Sequence, residues 1–319
     1  MDLTAVRAFD ILLRKGAELR QIDEFLSSLG VPQAASYEQA LQSHFAAGCK
    51  FRDQIPFLKE LYRTGMFVER CAGSPVAFIF FTSIIDPMGV TAARAHLSRL
   101  GANCIYLYDD RDMNYAFGIR QIGGDERALS AILRDTLSAL GAKQVITVGC
   151  SAAGFAAIKH AVYLGAHGSV TFAPFTTFAE EHYHRDRRGQ GLIERFRKLC
   201  PSLLIDLGPL IANSKPPLSL ICFYAKGMAL DAWHATRILK TGPRSLYAVG
   251  VRGNSHQIFN SLIARGVFDV VMKPLAQGAS IAECIAPLRA FFDSEAADPA
   301  HKADAGMLAT SPAQAMKPA

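Results

Sequence analysis

From about residue 66 to residue 293, short runs rich in β-branched and aromatic residues alternate with amphipathic stretches of helical spacing. Such alternation specifies a mostly parallel sheet flanked by helices, because parallel strands need long crossovers and sheets of this kind are buried on both faces. The runs at 66–70, 76–82, 102–108, 144–148, 168–172, 218–224 and 245–249 are the expected strands. The clearest helix is 125–140. Asp125 can cap it, Leu129, Ile132, Leu133, Leu137 and Leu140 share one face, and Gly141 follows as a C′ residue. Further helices are expected at 229–240, 256–265 and 280–292. Half of the 319 residues are hydrophobic and 19% are charged, a composition that supplies a large core and excludes global disorder.

Three segments stand apart from the alternation. Residues 1–65 read as a helical N-terminal extension, a cap or a small module for docking a protein partner, with Leu3, Val6, Phe9, Leu12 and Leu13 at roughly helical spacing. Residues 174–217 interrupt the strand–helix rhythm as a short lid insertion, which would lie over the carboxyl ends of the strands, where open α/β sheets bind ligands. Residues 294–319 hold Ala, Pro, Asp, Lys and Ser with almost no large apolar side chains, so this tail is expected to be disordered.

The run Val145-Ile146-Thr147-Val148-Gly149-Cys150-Ser151-Ala152-Ala153-Gly154-Phe155 reads as a strand, a pivot of small residues around one serine, and a helix. A nucleophile held on a strained strand-to-helix turn needs small neighbours, so Ser151 is the candidate nucleophile. The second small position of G-x-S-x-G is here Ala153. Such an elbow uses the backbone N–H of the residue after the serine, Ala152, as one oxyanion donor. A second is expected from the loop after the 76–82 strand, around Ser83 or Ile84. Cys150 adjoins the serine and is read either as a pocket thiol or as a buried spacer.

A serine needs a base and a group that orients the base. His256 follows the strand 245–249 and the loop Gly250-Val251-Arg252-Gly253-Asn254-Ser255, which brings an imidazole to the carboxyl edge of the sheet. The alternative is a helix-capping or solvated histidine. His160, His167, His182 and His184 are less well placed. Asp231, after the strand 218–224, is the only carboxylate between Asp206 and Asp269 and is the expected acid. Helix capping is its alternative role, and Asp206 is the fallback.

The order Ser151, Asp231, His256 is the chain order of α/β-hydrolases. The stretch from Tyr106 to Pro174 resembles a branch of bacterial α/β-hydrolase-like proteins, serine esterase-like, in which a strand, D-x-x-x-x-x-Y-x-x-G, an amphipathic helix and G-x-S-x-G-G-[FY]-A-A succeed one another. Those positions are here Asp109, Tyr115, Gly118 and the turn at 149–154. The resemblance covers roughly residues 70–293 and departs from the pattern at Ala153. It implies an α/β-hydrolase fold and hydrolysis of an ester or thioester through an acyl-enzyme, or acyl transfer to an alcohol, with a carbohydrate-linked acyl group among the substrates. Apart from the resemblance, Tyr115, Arg111 and Asp112 follow the 102–108 strand, a place from which they would line the substrate pocket, with a surface loop the favoured role for the charged pair. A hydrolase-fold binding or scaffold protein, docking a partner through the N-terminal helices, is the reading from another class.

The formal charge of +6 permits an anionic substrate, and Arg185, Arg187, Arg188, Arg195, Arg197 and Lys198 could attract one, although a solvated face accounts for the same residues. No nucleic-acid motif is present. The seven cysteines show neither zinc nor disulfide spacing, no metal or cofactor is expected, and reduced thiols fit a cytoplasmic protein. The longest apolar run, 76–85, is too short to span a bilayer.

Overall fold

The structure is a computed structural model that describes residues 9, 11–28, 30, 45, 48–82, 88–241, 245–297 and 307–310. Eight strands form one sheet: β1 (Met66–Glu69), β2 (Val76–Phe81), β3 (Asn103–Leu107), β4 (Gln144–Cys150), β5 (Gly168–Phe172), β6 (Leu220–Ala225), β7 (Leu246–Val251) and β8 (Met307–Thr310). Their order is β1-β3-β2-β4-β5-β6-β7-β8. The six inner strands run parallel, while β1 on β3 and β8 on β7 are antiparallel. The chain passes from β2 to β3 in one direction and then returns to lay β4 on the other side of β2. The carboxyl ends of β2 and β4 therefore flank the point where the order reverses, the place where such sheets open a crevice.

The described helices are α1 (Leu19–Ser28), α2 (Ile55–Thr64), α3 (Met88–Leu97), α4 (Glu126–Ala139), α5 (Ala152–Leu164), α6 (Gln190–Leu199), α7 (Leu207–Ala212), α8 (Ala229–Thr241), α9 (Ile258–Ala264), α10 (Val267–Ala276) and α11 (Ile285–Ala297). Strand side chains alternate between two cores, as the pleat requires. Phe78, Phe80, Tyr106, Phe172 and Phe223 face α3, α9, α10 and α11, whereas Ile79, Phe81, Ile105, Leu107 and Cys222 face α4 through α8. Asp125 caps α4 by accepting from the Ala128 N–H at 2.8 Å. Phe9, Leu13, Ile22, Leu26 and Phe51 from the N-terminal segment are buried in the first core, so this region shares the core of the sheet. The remainder of the helical reading of 1–65 lies outside the described residues.

Within the tail expected to be disordered, the described residues form regular elements. α11 continues to Ala297, and Met307–Thr310 joins the sheet with Leu308 opposite Val249. The outer edge of β7 offers unpaired backbone donors and acceptors, and an extended tetrapeptide can satisfy them whatever its side chains.

The insertion after β5 folds as a short 3₁₀ turn (Glu180–His182), α6, a second 3₁₀ turn (Pro201–Leu203) and α7. Leu192, Ile193 and Phe196 of α6 are buried with Phe175 and Phe178, which fastens the insertion over the carboxyl end of the sheet. Among the described residues, no helix is long and apolar enough to cross a membrane.

Candidate active site

β4 ends at Cys150 and α5 begins at Ala152, so one residue makes the whole turn. That residue is Ser151, with φ +55° and ψ −125°. A non-glycine residue held there stores about 1–3 kcal/mol of strain, which the surroundings must offset. Three backbone hydrogen bonds hold the turn: Ser151 N–H to Phe172 O at 2.9 Å, and Gly154 N–H at 3.0 Å and Phe175 N–H at 3.1 Å to Ser151 O. A Cβ on Gly149 would lie 2.4 Å from Ala153 O, and one on Gly154 would lie 2.7 Å from Pro174 Cβ. These two glycines are therefore the ones the turn requires. The Ala153 methyl, which stands at the second small position of the turn, is buried in the second core.

The loops after β6 and β7 deliver the partners of Ser151. Its Oγ lies 2.7 Å from His256 Nε2, and His256 Nδ1 lies 2.9 Å from Asp231 Oδ1. Asp231 sits in the first turn of α8, and α9 starts two residues after His256. With the proton on Nδ1 donated to Asp231, Nε2 is free to accept from the serine hydroxyl. Burial works against a charged Asp231, which is 1% exposed, yet hydrogen bonds from His256 and Arg188 hold its carboxyl below the usual range.

Behind this chain stands a second His–Asp pair that the sequence reading did not single out. Arg188 donates through Nη1 to Asp231 Oδ1 at 2.6 Å and through Nη2 to Asp186 Oδ2 at 2.6 Å. Asp186 Oδ2 also lies 3.0 Å from His234 Nε2, and the Thr176 N–H donates to His234 Nδ1 at 3.1 Å. Nδ1 therefore accepts, and the ring proton is on Nε2, donated to Asp186. Burial lowers the pKa of His234; Asp186 pulls it up, and the nearby Arg188 cation adds to the lowering. Desolvation raises the Asp186 carboxyl, but His234 and Arg188 more than offset this and hold it well below the ordinary range. Asp231 and His234 are spaced i, i+3 on α8, a face-sharing signal legible in the sequence.

The other predicted residues fall differently. Tyr115 is buried. The loop after β3 folds back under the sheet edge, leaving the ring 1% exposed against Phe81, while the hydroxyl accepts from Thr82 N–H at 2.9 Å and donates to Leu107 O at 2.8 Å. Cys150 is half-buried and packed against the first core. Ala152 is the first residue of α5, where an N–H has no partner within the helix. Ser83 and Ile84 lie outside the described residues. Asp206 is not beside His256; it caps α7 through Gly208 N–H at 2.8 Å and pairs with Arg237.

The basic group of the insertion is divided rather than pooled. Arg188 turns inward, Arg197 pairs with Glu180 at 2.6 Å, and the Arg185 guanidinium stands 5.0 Å from the Trp233 ring centre. Between Phe175, Phe178, Asp186, Trp233 and His234 remains a hollow of about 10 Å³, room for one water. Ligand-type atoms of Glu181, His182 and Asp206 lie within 4.8 Å of one another, a grouping that sequence spacing hides. The Arg237 guanidinium bonds both Asp206 and His182 there, so a cation already balances the carboxylate.

The sheet order, the strand–serine–helix turn and the helices on both faces are those of an α/β-hydrolase fold. No family model matches the sequence, and no curated protein does. Among solved structures, an esterase from the hyperthermophilic archaeon Pyrobaculum calidifontis is similar over 66% of this chain and 77% of its own, at 14% identity and a TM-score of 0.45. Carboxyl esterase 2 of the mycorrhizal fungus Tuber melanosporum is similar over 66% and 80%, at 12% identity and a TM-score of 0.47. MenH from S. aureus is similar over 68% and 100%, at 9% identity and a TM-score of 0.48.

Proposed function

We propose that this protein is a serine hydrolase of an ester or thioester, with Ser151 as nucleophile, His256 as base and Asp231 as the residue that orients the base. The observation that carries the reading is the unbroken chain from Ser151 Oγ through His256 to Asp231, at 2.7 and 2.9 Å, with the serine on a strained turn. His256 Nε2 takes the hydroxyl proton as Oγ attacks the acyl carbonyl. The negative charge that develops on the carbonyl oxygen is met by the Ala152 N–H, a donor of a kind worth about 3–4 kcal/mol in the transition state. His256 then returns the proton to the departing alcohol or thiol, leaving an acyl-Ser151. Water, activated by the same imidazole, releases the acid and restores the enzyme; an alcohol in its place would make the reaction an acyl transfer.

A fluorophosphonate probe tests the reading. Ser151 should be the labelled residue, labelling should vanish in Ser151→Ala, and it should fall by roughly 100-fold or more in His256→Ala. A folded protein that takes no label is instead a binding protein on a hydrolase fold.

A further inference from the structure

Arg188 is a charged side chain from the insertion that ends in the middle of the Ser151–His256–Asp231 chain, and all the polar faces of its guanidinium are used there. Nη1 donates to Asp231 Oδ1, while Nε and Nη2 grip both oxygens of Asp186 at 2.6–3.0 Å. Asp186 is 5% exposed and is fixed in turn by His234, itself 1% exposed and anchored on the Thr176 backbone. The guanidinium also lies over the Phe175 ring at 5.3 Å, and the same ring meets His256 edge-on at 6.2 Å. A planar fork that holds two carboxylates at once has a fixed position, unlike a solvated surface arginine.

The position has an electrical consequence. Nη1 is 3.1 Å from His256 Nδ1. When Nδ1 carries its proton, the two nitrogens are both donors converging on Asp231 Oδ1, so their contact is a repulsive one. A fixed positive charge so close to the ring opposes a second proton on the imidazole. The groups facing His256 are then the Ser151 hydroxyl, the Asp231 carboxylate and the Arg188 cation, with Asp186 beyond the last.

Building on the hydrolase reading above, we propose that Arg188 is a positioning residue through which the insertion controls the site. It fixes the Asp231 oxygen that receives the imidazole proton, and it sets its charge 3.1 Å from His256 Nδ1. Withdrawal of the 186–189 segment would take Arg188 and Asp186 away together and leave the Asp231 carboxylate with its bond to His256. Seating of the segment therefore sets the charge that His256 faces.

Two variants read this. Arg188→Gln removes the charge and keeps a donor, and Asp186→Asn leaves Arg188 without its second anchor. The ring resonances of His256 are titrated by NMR in the full-length protein, a readout independent of turnover, and the pH profile of fluorophosphonate labelling is recorded beside it. In Arg188→Gln the His256 titration and the acid limb of labelling should both move to higher pH by about one unit, the size expected for losing a partly screened charge at this distance. Asp186→Asn removes a negative charge while loosening Arg188, two effects of opposite sign, so the shift should be smaller than in Arg188→Gln, with Ser151 still the labelled residue. Unchanged titration in both folded variants overturns the proposal and leaves Arg188 as packing for the insertion. Absence of label in the unaltered protein sinks the hydrolase reading, while the NMR titration still decides the role of Arg188.

Discussion

Gly227 and Gly253 meet backbone to backbone, the Gly227 N–H donating to the Gly253 carbonyl at 2.8 Å. A Cβ on Gly227 would sit 2.6 Å from that same oxygen, so only glycine permits the approach. This contact joins the loop that leads into α8 and Asp231 to the loop that carries His256. Gly227→Ala must push the loops apart, at a cost of about 1–3 kcal/mol in stability by denaturant titration. Because the Asp231–His256 distance depends on the same contact, labelling of Ser151 should slow by roughly tenfold or more in variant protein that is fully folded. A slower rate that follows only the folded fraction would refute the link to the site.

Ala153 should not be a defect awaiting repair. Its methyl is buried in the second core while Gly149 and Gly154 supply the close approaches. Ala153→Gly, which restores the commoner motif, is expected to lose about 1 kcal/mol of stability through helix propensity at the second position of α5. Urea unfolding and the labelling rate check this together. A faster Ser151 in Ala153→Gly would mean that the alanine strains the turn.

Tyr115 is expected to support the frame of the site rather than the substrate. Its hydroxyl ties the ends of β2 and β3 together through Thr82 and Leu107. Tyr115→Phe removes the hydroxyl bonds, while Thr82 N–H keeps its own bond to Leu107 O at 3.1 Å, so the loss in stability should be about 0.5–1.5 kcal/mol. Across ester substrates of increasing acyl length, KM should keep the rank order of the unaltered protein. A selective change in KM for one acyl length would return Tyr115 to the pocket.

The strands and the three residues of the hydrogen-bonded chain were legible because each rests on a local pattern: alternation for the strands, small residues around Ser151, and loops that follow strands for Asp231 and His256. What stayed hidden depends on contacts made far along the chain. Arg188 and Asp231 are separated by 43 residues, and a run containing Glu180, Glu181, Arg185, Asp186, Arg187 and Arg188 has the composition of a solvated surface. Nothing local distinguishes the one arginine that turns inward. Tyr115 lies in a polar loop whose reversal beneath β2 places an aromatic ring in the core, and β8 forms because β7 has an open edge. Side-chain chemistry along a strand or helix is written in periodicity, whereas the choice among like residues in a loop is made by the partner that the fold brings to it.

His160 gives the fold a sensitivity to acid that is separate from the site. It lies on α5 with no solvent exposure, its ring stacked 5.2 Å from that of Phe81 and its Nε2 without a hydrogen-bond partner. Burial, with the Lys159 charge adding to it, pushes its pKa down to about 3. The unfolded chain binds the proton near 6.5, so between about pH 6.5 and 3 the unfolded state carries one proton that the folded state lacks. Stability should therefore fall as the pH drops through this window, by up to about 1.4 kcal/mol per unit from this one residue. His234, also held low by burial, acts in the same direction. His160→Phe fills the same space with a ring that cannot titrate. Whatever its offset at pH 7, denaturant unfolding from pH 7 to 4 should show a shallower loss of stability in this variant. Parallel curves for the two proteins would mean that His160 takes up its proton without unfolding the helix that holds it.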